Sequence, residues 1–250
     1  MKKTGKVVAI VECRMTSSRL PGKVLLESCG KPLLAHLVER LKRARGVDEV
    51  LLATTTNLTD DPIVALAERL EIPCFRGSEN DVLGRVHDAA HFAQADVVIE
   101  VTGDCPLIDP EIVAQTLELY RKSSADYVAN DLIPSFPIGM NVAIFSTALL
   151  EAANREGTRP EDREHVAWFF VRNPERFAQK NLLASPDLRD PDLRLTLDEK
   201  DDYRLIDTVF QRLYVSNPDF SCGDILRLLK EYPEIRSINA HVRQNALPEV

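Results

Sequence analysis

The chain has 250 residues, 44% of them apolar, which is enough to bury a full core, and the whole length 1–250 reads as one folding unit. A net charge of −8, from 39 acidic residues against 31 Lys and Arg, excludes nucleic-acid or membrane-surface binding as the main role, since both call for a positive footprint. The five cysteines are odd in number, scattered and free of C-x-x-C spacing, so neither a disulfide framework nor a zinc site is indicated. No apolar run approaches membrane-spanning length, and a soluble, cytoplasmic protein with reduced thiols is expected.

In chain order, VVAIV (7–11) is a β-branched apolar run suited to a central parallel strand, and Pro32 suits the first turn of the amphipathic segment that follows. Between them, Arg14, Arg19, Lys23 and Lys31 gather just past a strand's carboxyl end, where open α/β sheets bind ligands, so an anion, first of all phosphate, is expected there. Ser17, Ser18, Gly22 and backbone N–H groups complete a cradle. It is not a Walker A loop: Gly22-Lys23 is followed by Val24, and no glycine stands five residues before Gly22. The plain alternative is a solvated basic loop.

EVLLATT (49–55) reads as a second strand, and DPIVALAERLE as a helix with Asp61 at the N-cap and Pro62 at N1. CFRG (74–77) is a short third strand, after which Asp81 caps the helix DVLGRVHDAAHFAQ. ADVVIEVTGD (95–104) and PEIVAQTLELYRKSS (110–124) continue the alternation of strand and helix. DYVAND (126–131) and NVAIFS (141–146) are strands flanking a Pro-rich connection, so a small excursion is expected near 131–146. TALLEAANREG and EDREHVAWFFV read as helices, LRLTLD (193–198) as a strand, and DDYRLIDTVFQRLYV and CGDILRLLKEY as two closing helices. The fold class is therefore α/β: a Rossmann-like, mostly parallel sheet with helices on both faces.

Asp104 and Asp198 both follow apolar runs; read locally, the first is a turn residue before Cys105-Pro106 and the second a helix N-cap. Arg85 reads as an exposed helix residue paired with Asp81 at i,i+4, and Thr54 and Thr55 as β-branched strand residues. The five histidines form no catalytic array.

RMTSSRLPGKVL followed by GKPLL resembles the nucleotide-binding signature of the cytidylyltransferases that activate sugar acids, the CMP-KDO and acylneuraminate synthetases, and most closely their spore coat polysaccharide branch. The likeness runs over nearly the whole chain. It implies a nucleotidyltransferase that moves CMP from CTP to an acidic or modified sugar, or a sugar phosphate, and releases pyrophosphate. It matches Arg14, Ser17 and Lys23 to triphosphate contacts, and TGDCPLIDP and the LRLTLD segment to two metal-binding turns, so that Asp104 and Asp198 would hold Mg²⁺. RGSENDVLGRVHDAA and the end of the second strand match nucleotide contacts, which brings forward Arg85, Thr54 and Thr55. DREHV places His165 near the acceptor, and relatives imply a homodimer.

The chain departs from that branch at Glu12-Cys13, where Gln-Ala is common, and at Asn141 and Ala143, where acidic residues are common. Glu12 suits cytosine's exocyclic amine, and Asn141 with Ala143, two apart on one expected strand, would open an acceptor wall to a bulkier or more anionic sugar. A glycosyltransferase on a similar fold, which a D-x-D triplet at a strand end would favour although no such triplet is read here, and a noncatalytic nucleotide-sugar sensor are the alternatives.

Overall fold

A computed structural model describes residues 5–243. Strand β1 (Val7–Glu12) leads through a loop and a two-residue hairpin, β2 (Glu27–Ser28) and β3 (Lys31–Pro32), into helix α1 (Leu33–Arg43). Strand β4 (Glu49–Thr55), helix α2 (Asp61–Arg69), strand β5 (Cys74–Gly77), helix α3 (Val82–Phe92), strand β6 (Val97–Thr102) and helix α4 (Pro110–Lys122) complete a run of strand and helix alternation. Then come strands β7 (Tyr127–Ala129) and β8 (Ala143–Ser146), helices α5 (Thr147–Glu156), α6 (Pro160–Glu164) and α7 (Trp168–Val171), and strand β9 (Gln179–Asn181). Helices α8 (Lys200–Leu213), α9 (Cys222–Glu231) and α10 (Pro233–Arg236) close the described chain.

The strands form a seven-stranded sheet in the order β5-β4-β1-β6-β8-β7-β9, in which β8 alone runs against the other six. Strand β1 lies between β4 and β6 and its first five residues are buried, which is why it reads as a continuous apolar run. Alternation along it still sorts two cores. Val7, Ala9 and Val11 face residues of α1, α2 and α4, whereas Val8 and Ile10 face residues of α3, α5 and α7. A third cluster unites α8 and α9 with Leu33, Leu107 and Ile112, so the C-terminal layer packs beside the carboxyl end of the sheet.

Three expected elements differ. EDREHVAWFFV is not one helix: α6 ends at Glu164 and α7 begins at Trp168, because buried Asp162 is tied to Arg159 N and to the Arg172 guanidinium while Val166 turns into the core. The N-cap of α2 is Asp60, not Asp61. LRLTLD is extended and buries Leu193, Leu195 and Leu197, yet joins no sheet; it makes one bridge, Arg194 to Ile138. Its backbone bonds go to loops instead, Leu195 N to Ile138 O (2.7 Å) and Leu197 N to Asp104 O (2.9 Å). Those bonds dock the segment before Asp198 against the turn after β6.

The close passage at 138–139 needs Gly139, whose φ is 102° and where an added Cβ would stand 2.7 Å from the Leu195 carbonyl carbon. Gly139→Ala is therefore expected to cost about 2 kcal/mol or more in urea unfolding, and to lower activity by moving the segment that leads to Asp198. Unchanged stability and activity would show that the passage tolerates a side chain.

Candidate active site

The loop after β1 is shaped by its own turns: Gly22, at φ 72°, donates its N–H to Met15 O (2.9 Å), and Lys23 opens a short 3-10 turn, Lys23–Leu25. Asp60 anchors this loop. Fully buried, it accepts from Met15 N (2.8 Å), Thr54 Oγ1 (2.8 Å), Thr55 N (3.0 Å) and Thr55 Oγ1 (2.6 Å). Burial pushes its carboxyl up, but the bonds from Thr55, Met15 N and Thr54 outweigh burial and leave its pKa lowered. Thr54 and Thr55, expected at the nucleotide, are both fully buried, and their hydroxyls are committed to Asp60.

Lys23 reaches from this loop to both expected metal ligands. Its Nζ donates to Asp104 Oδ2 and to Asp198 Oδ1, each at 2.8 Å, across separations of 81 and 175 residues. Burial disfavours the ammonium, but the two carboxylates win and hold its pKa above the ordinary value. Arg19 Nη2 also meets Asp198 Oδ1 (2.9 Å), and Arg194 Nη2 donates to Asp198 Oδ2 (2.6 Å). Burial raises the Asp198 pKa, Lys23 first among its cationic neighbours lowers it, and the net shift is downward.

Arg194 is held in turn by buried Asp202, through Nε to Oδ1 (2.9 Å) and Nη2 to Oδ2 (3.1 Å). Asp202 also caps α8, accepting from Glu199 N (2.9 Å) and Asp198 N (3.0 Å), and takes Asn239 Nδ2 (2.8 Å). Arg194 and Asp202 were not singled out in the sequence, although their spacing from Asp198, four residues on either side, was there to be read. Thr102 Oγ1 donates to Asp104 Oδ1 (2.6 Å), which sets the other carboxylate.

The remaining candidates are more dispersed. Arg14 stands at the rim, its Nη1 3.6 Å from Glu79 Oε1, and Ser17 Oγ accepts weakly from Leu20 N (3.5 Å) within the loop. Lys31 turns away from the cradle to Glu39 (2.6 Å) and Tyr214 (3.0 Å). Arg85 is buried, not exposed as expected, and donates to Ser78 O with its Nε unpaired, while Asp81 pairs with Arg163. His165 caps the C-terminus of α6 through its backbone, and among the described residues its ring makes no hydrogen bond or ion pair. The D-x-D triplet, Asp190-Pro191-Asp192, lies in a turn with Asp190 paired to Arg236 (2.9 Å), not at a strand end.

Asn141 lies before β8 rather than on it. Its Nδ2 donates to Asp131 Oδ2 (2.8 Å) and its Oδ1 accepts from Gly139 N (3.0 Å), so it shares no strand face with Ala143. Ala143 instead sits opposite Glu100 in the β6–β8 ladder. Burial, and then the neighbouring Glu12 carboxylate, push the Glu100 pKa well up, and burial raises Glu12 despite the opposing charge of Arg85. Acidic groups, Glu100 and Asp131, thus stand beside Ala143 and Asn141, and the two positions do not form the single strand face expected of them.

Asp60→Asn puts an amide among four donors and is expected to cost about 1–3 kcal/mol at neutral pH, with weaker nucleotide binding as the loop loosens. Because the folded-state pKa of Asp60 lies below 3.8, its stabilisation is present above that pH and fades as pH falls through the lowered value. Urea unfolding of wild type and variant should therefore differ at pH 7 and converge in acid; a constant difference would remove the Asp60 charge from the account.

Comparison with known proteins identifies the family. A family model described as cytidylyltransferase matches residues 8–232. The chain is 34% identical over 245 residues to an uncharacterized protein of Methanocaldococcus jannaschii, covering 98% of this chain and 99% of that one. It is 30% identical over 233 residues to the spore coat polysaccharide biosynthesis protein SpsF of Bacillus subtilis, covering 91% and 95%. The structure of a cytidylyltransferase from Leptospira borgpetersenii superposes with a TM-score of 0.87 at 30% identity, over 96% of this chain and 99% of that one. The cation loop, the paired strand-end and helix-entry aspartates, and these likenesses lead to one conclusion: the chain belongs to the cytidylyltransferase family.

Proposed function

We propose that this protein transfers the CMP group of CTP to a sugar acid and releases pyrophosphate, for the synthesis of a surface polysaccharide or glycan. The observation that carries this reading is the meeting of Lys23 with Asp104 and Asp198 beside Arg19, in a member of the cytidylyltransferase family. The name of the relative SpsF supports the polysaccharide context.

An acceptor oxygen attacks the α-phosphorus in line, a new O–P bond forms as the bond to pyrophosphate breaks, and no covalent enzyme intermediate is needed. Negative charge grows on the nonbridging and leaving oxygens, so Lys23, Arg19 and Arg14 act by lying where that charge develops. Arg14 and Arg19, at the partly exposed mouth, suit forked contacts to phosphate, and Lys23 suits a point contact.

Asp104 and Asp198 fit Mg²⁺: their hard oxygens converge on one cation, Lys23 Nζ, so the local field already favours positive charge between them. Bound there, the ion would add Lewis-acid stabilisation of phosphate oxygens. Glu12, at the end of β1, would act as an acceptor that favours the cytosine amine over the uracil carbonyl.

The test is pyrophosphate release from each of the four nucleoside triphosphates with a panel of sugar acids and sugar phosphates. CTP should be preferred, Lys23→Ala should lower the rate by about 10²–10³ as for loss of an oxyanion donor, and Asp104→Asn should be comparably harmful while remaining folded. Preference for another nucleotide would overturn the base assignment, and full activity in both variants would move the chemistry elsewhere.

A further inference from the structure

Asp198 divides its two oxygens between unlike partners. Oδ2 faces Arg194, whose side chain is 5% exposed and is fixed by Asp202, whereas Oδ1 faces Lys23 and Arg19, whose side chains are 12% and 33% exposed. The inner contact is part of the fold; the outer two end on long stems from a surface loop. Asp104 also splits its oxygens, with Oδ1 accepting from the exposed Thr102 beside it and Oδ2 taken by Lys23. One ammonium thus bridges the two carboxylates, and each carboxylate also accepts from a second donor, Arg194 for Asp198 and Thr102 for Asp104.

Resting on the reading of Asp104 and Asp198 as a metal pair, we propose that Lys23 is a built-in competitor of the divalent cation: its ammonium occupies the place between the carboxylates until a triphosphate draws it away. The charge count gives the reason. Three carboxylates, Asp104, Asp198 and Asp202, face three cations, Lys23, Arg19 and Arg194, so the centre is neutral as it stands.

A divalent ion entering alone would add two uncompensated charges to a half-buried site or would have to expel Lys23 into solvent. A triphosphate alone would gain Lys23 and Arg19 but leave Asp104 without a counter-charge and Asp198 with Arg194 alone. Binding both at once satisfies every group: Lys23 and Arg19 pass to phosphate and the ion takes the freed oxygens. Nucleotide and metal then bind with positive coupling, and metal without nucleotide is refused.

The probe is Mn²⁺, titrated into the full chain without nucleotide and followed by water-proton relaxation. Wild type should bind it weakly. Lys23→Met, which keeps the stem and drops the charge, should bind at least about tenfold more tightly, since removing one partner of a buried pair leaves its carboxylates seeking a cation. Adding Asp104→Asn to Lys23→Met should abolish the gain. Mn²⁺ should also raise the melting temperature of Lys23→Met more than that of wild type, and Lys23→Gln serves as a second variant should Lys23→Met fail to fold. Equal Mn²⁺ affinity in wild type and the folded variant, or tight nucleotide-independent binding by wild type, would overturn the proposal. The outcome is separable from the cytidylyl-transfer reading, which stands or falls on pyrophosphate release by wild type.

Discussion

The contact of one ammonium with two carboxylates organises the functional half of this molecule. Lys23 comes from the loop after β1, Asp104 from the turn after β6, and Asp198 from the entry to α8, so a single side chain registers three parts of the chain that are remote in sequence. Such a contact is poor as a source of stability, because desolvating three charges offsets most of their attraction. The fold must supply the stability elsewhere, and the two cores on either face of the sheet and the C-terminal cluster provide it. The charged centre can then be spent on chemistry.

Around that centre, each charged group is fixed by a neutral or oppositely charged neighbour further in. Asp60 takes four hydrogen bonds and in doing so ties Met15 of the cation loop to the end of β4. Asp202 caps α8, holds Arg194 and, through it, Asp198. In both cases a buried aspartate serves geometry, fixing the groups around it. Preorganisation of this kind means that little has to be rearranged when charge develops on a phosphate.

The acidic groups around β6 and β8 are built from different chemistry. Glu12 and Glu100 lie on neighbouring parallel strands, where burial raises both of their pKa values, and Asp131 is bonded to Asn141. Substitution at one ladder position is balanced by a residue on the strand beside it, since Ala143 is paired with Glu100. A pocket wall is a property of adjacent strands taken together, not of either strand read along its length.

Much of the architecture was legible from periodicity. The buried runs of β1, β4 and β6, and the amphipathic helices α1, α4, α8 and α9, follow from apolar spacing and caps that act within a few residues. The cation-rich loop and its motif likewise pointed to the cytidylyltransferase family. What the sequence could not decide was the direction in which each polar group would be spent. Thr54, Thr55, Arg85 and Asn141 each carry a type of side chain that binds ligands, yet three are buried and Asn141 is bonded within its own loop. LRLTLD has the alternation of a strand, but its hydrogen bonds are taken by Ile138 and Asp104, leaving no ladder to join. Alternation and caps are set by near neighbours, so the sequence alone determined the elements. The meeting of Lys23 with Asp104 and Asp198 depends on how sheet, loop and C-terminal layer pack, and only the tertiary structure decided it.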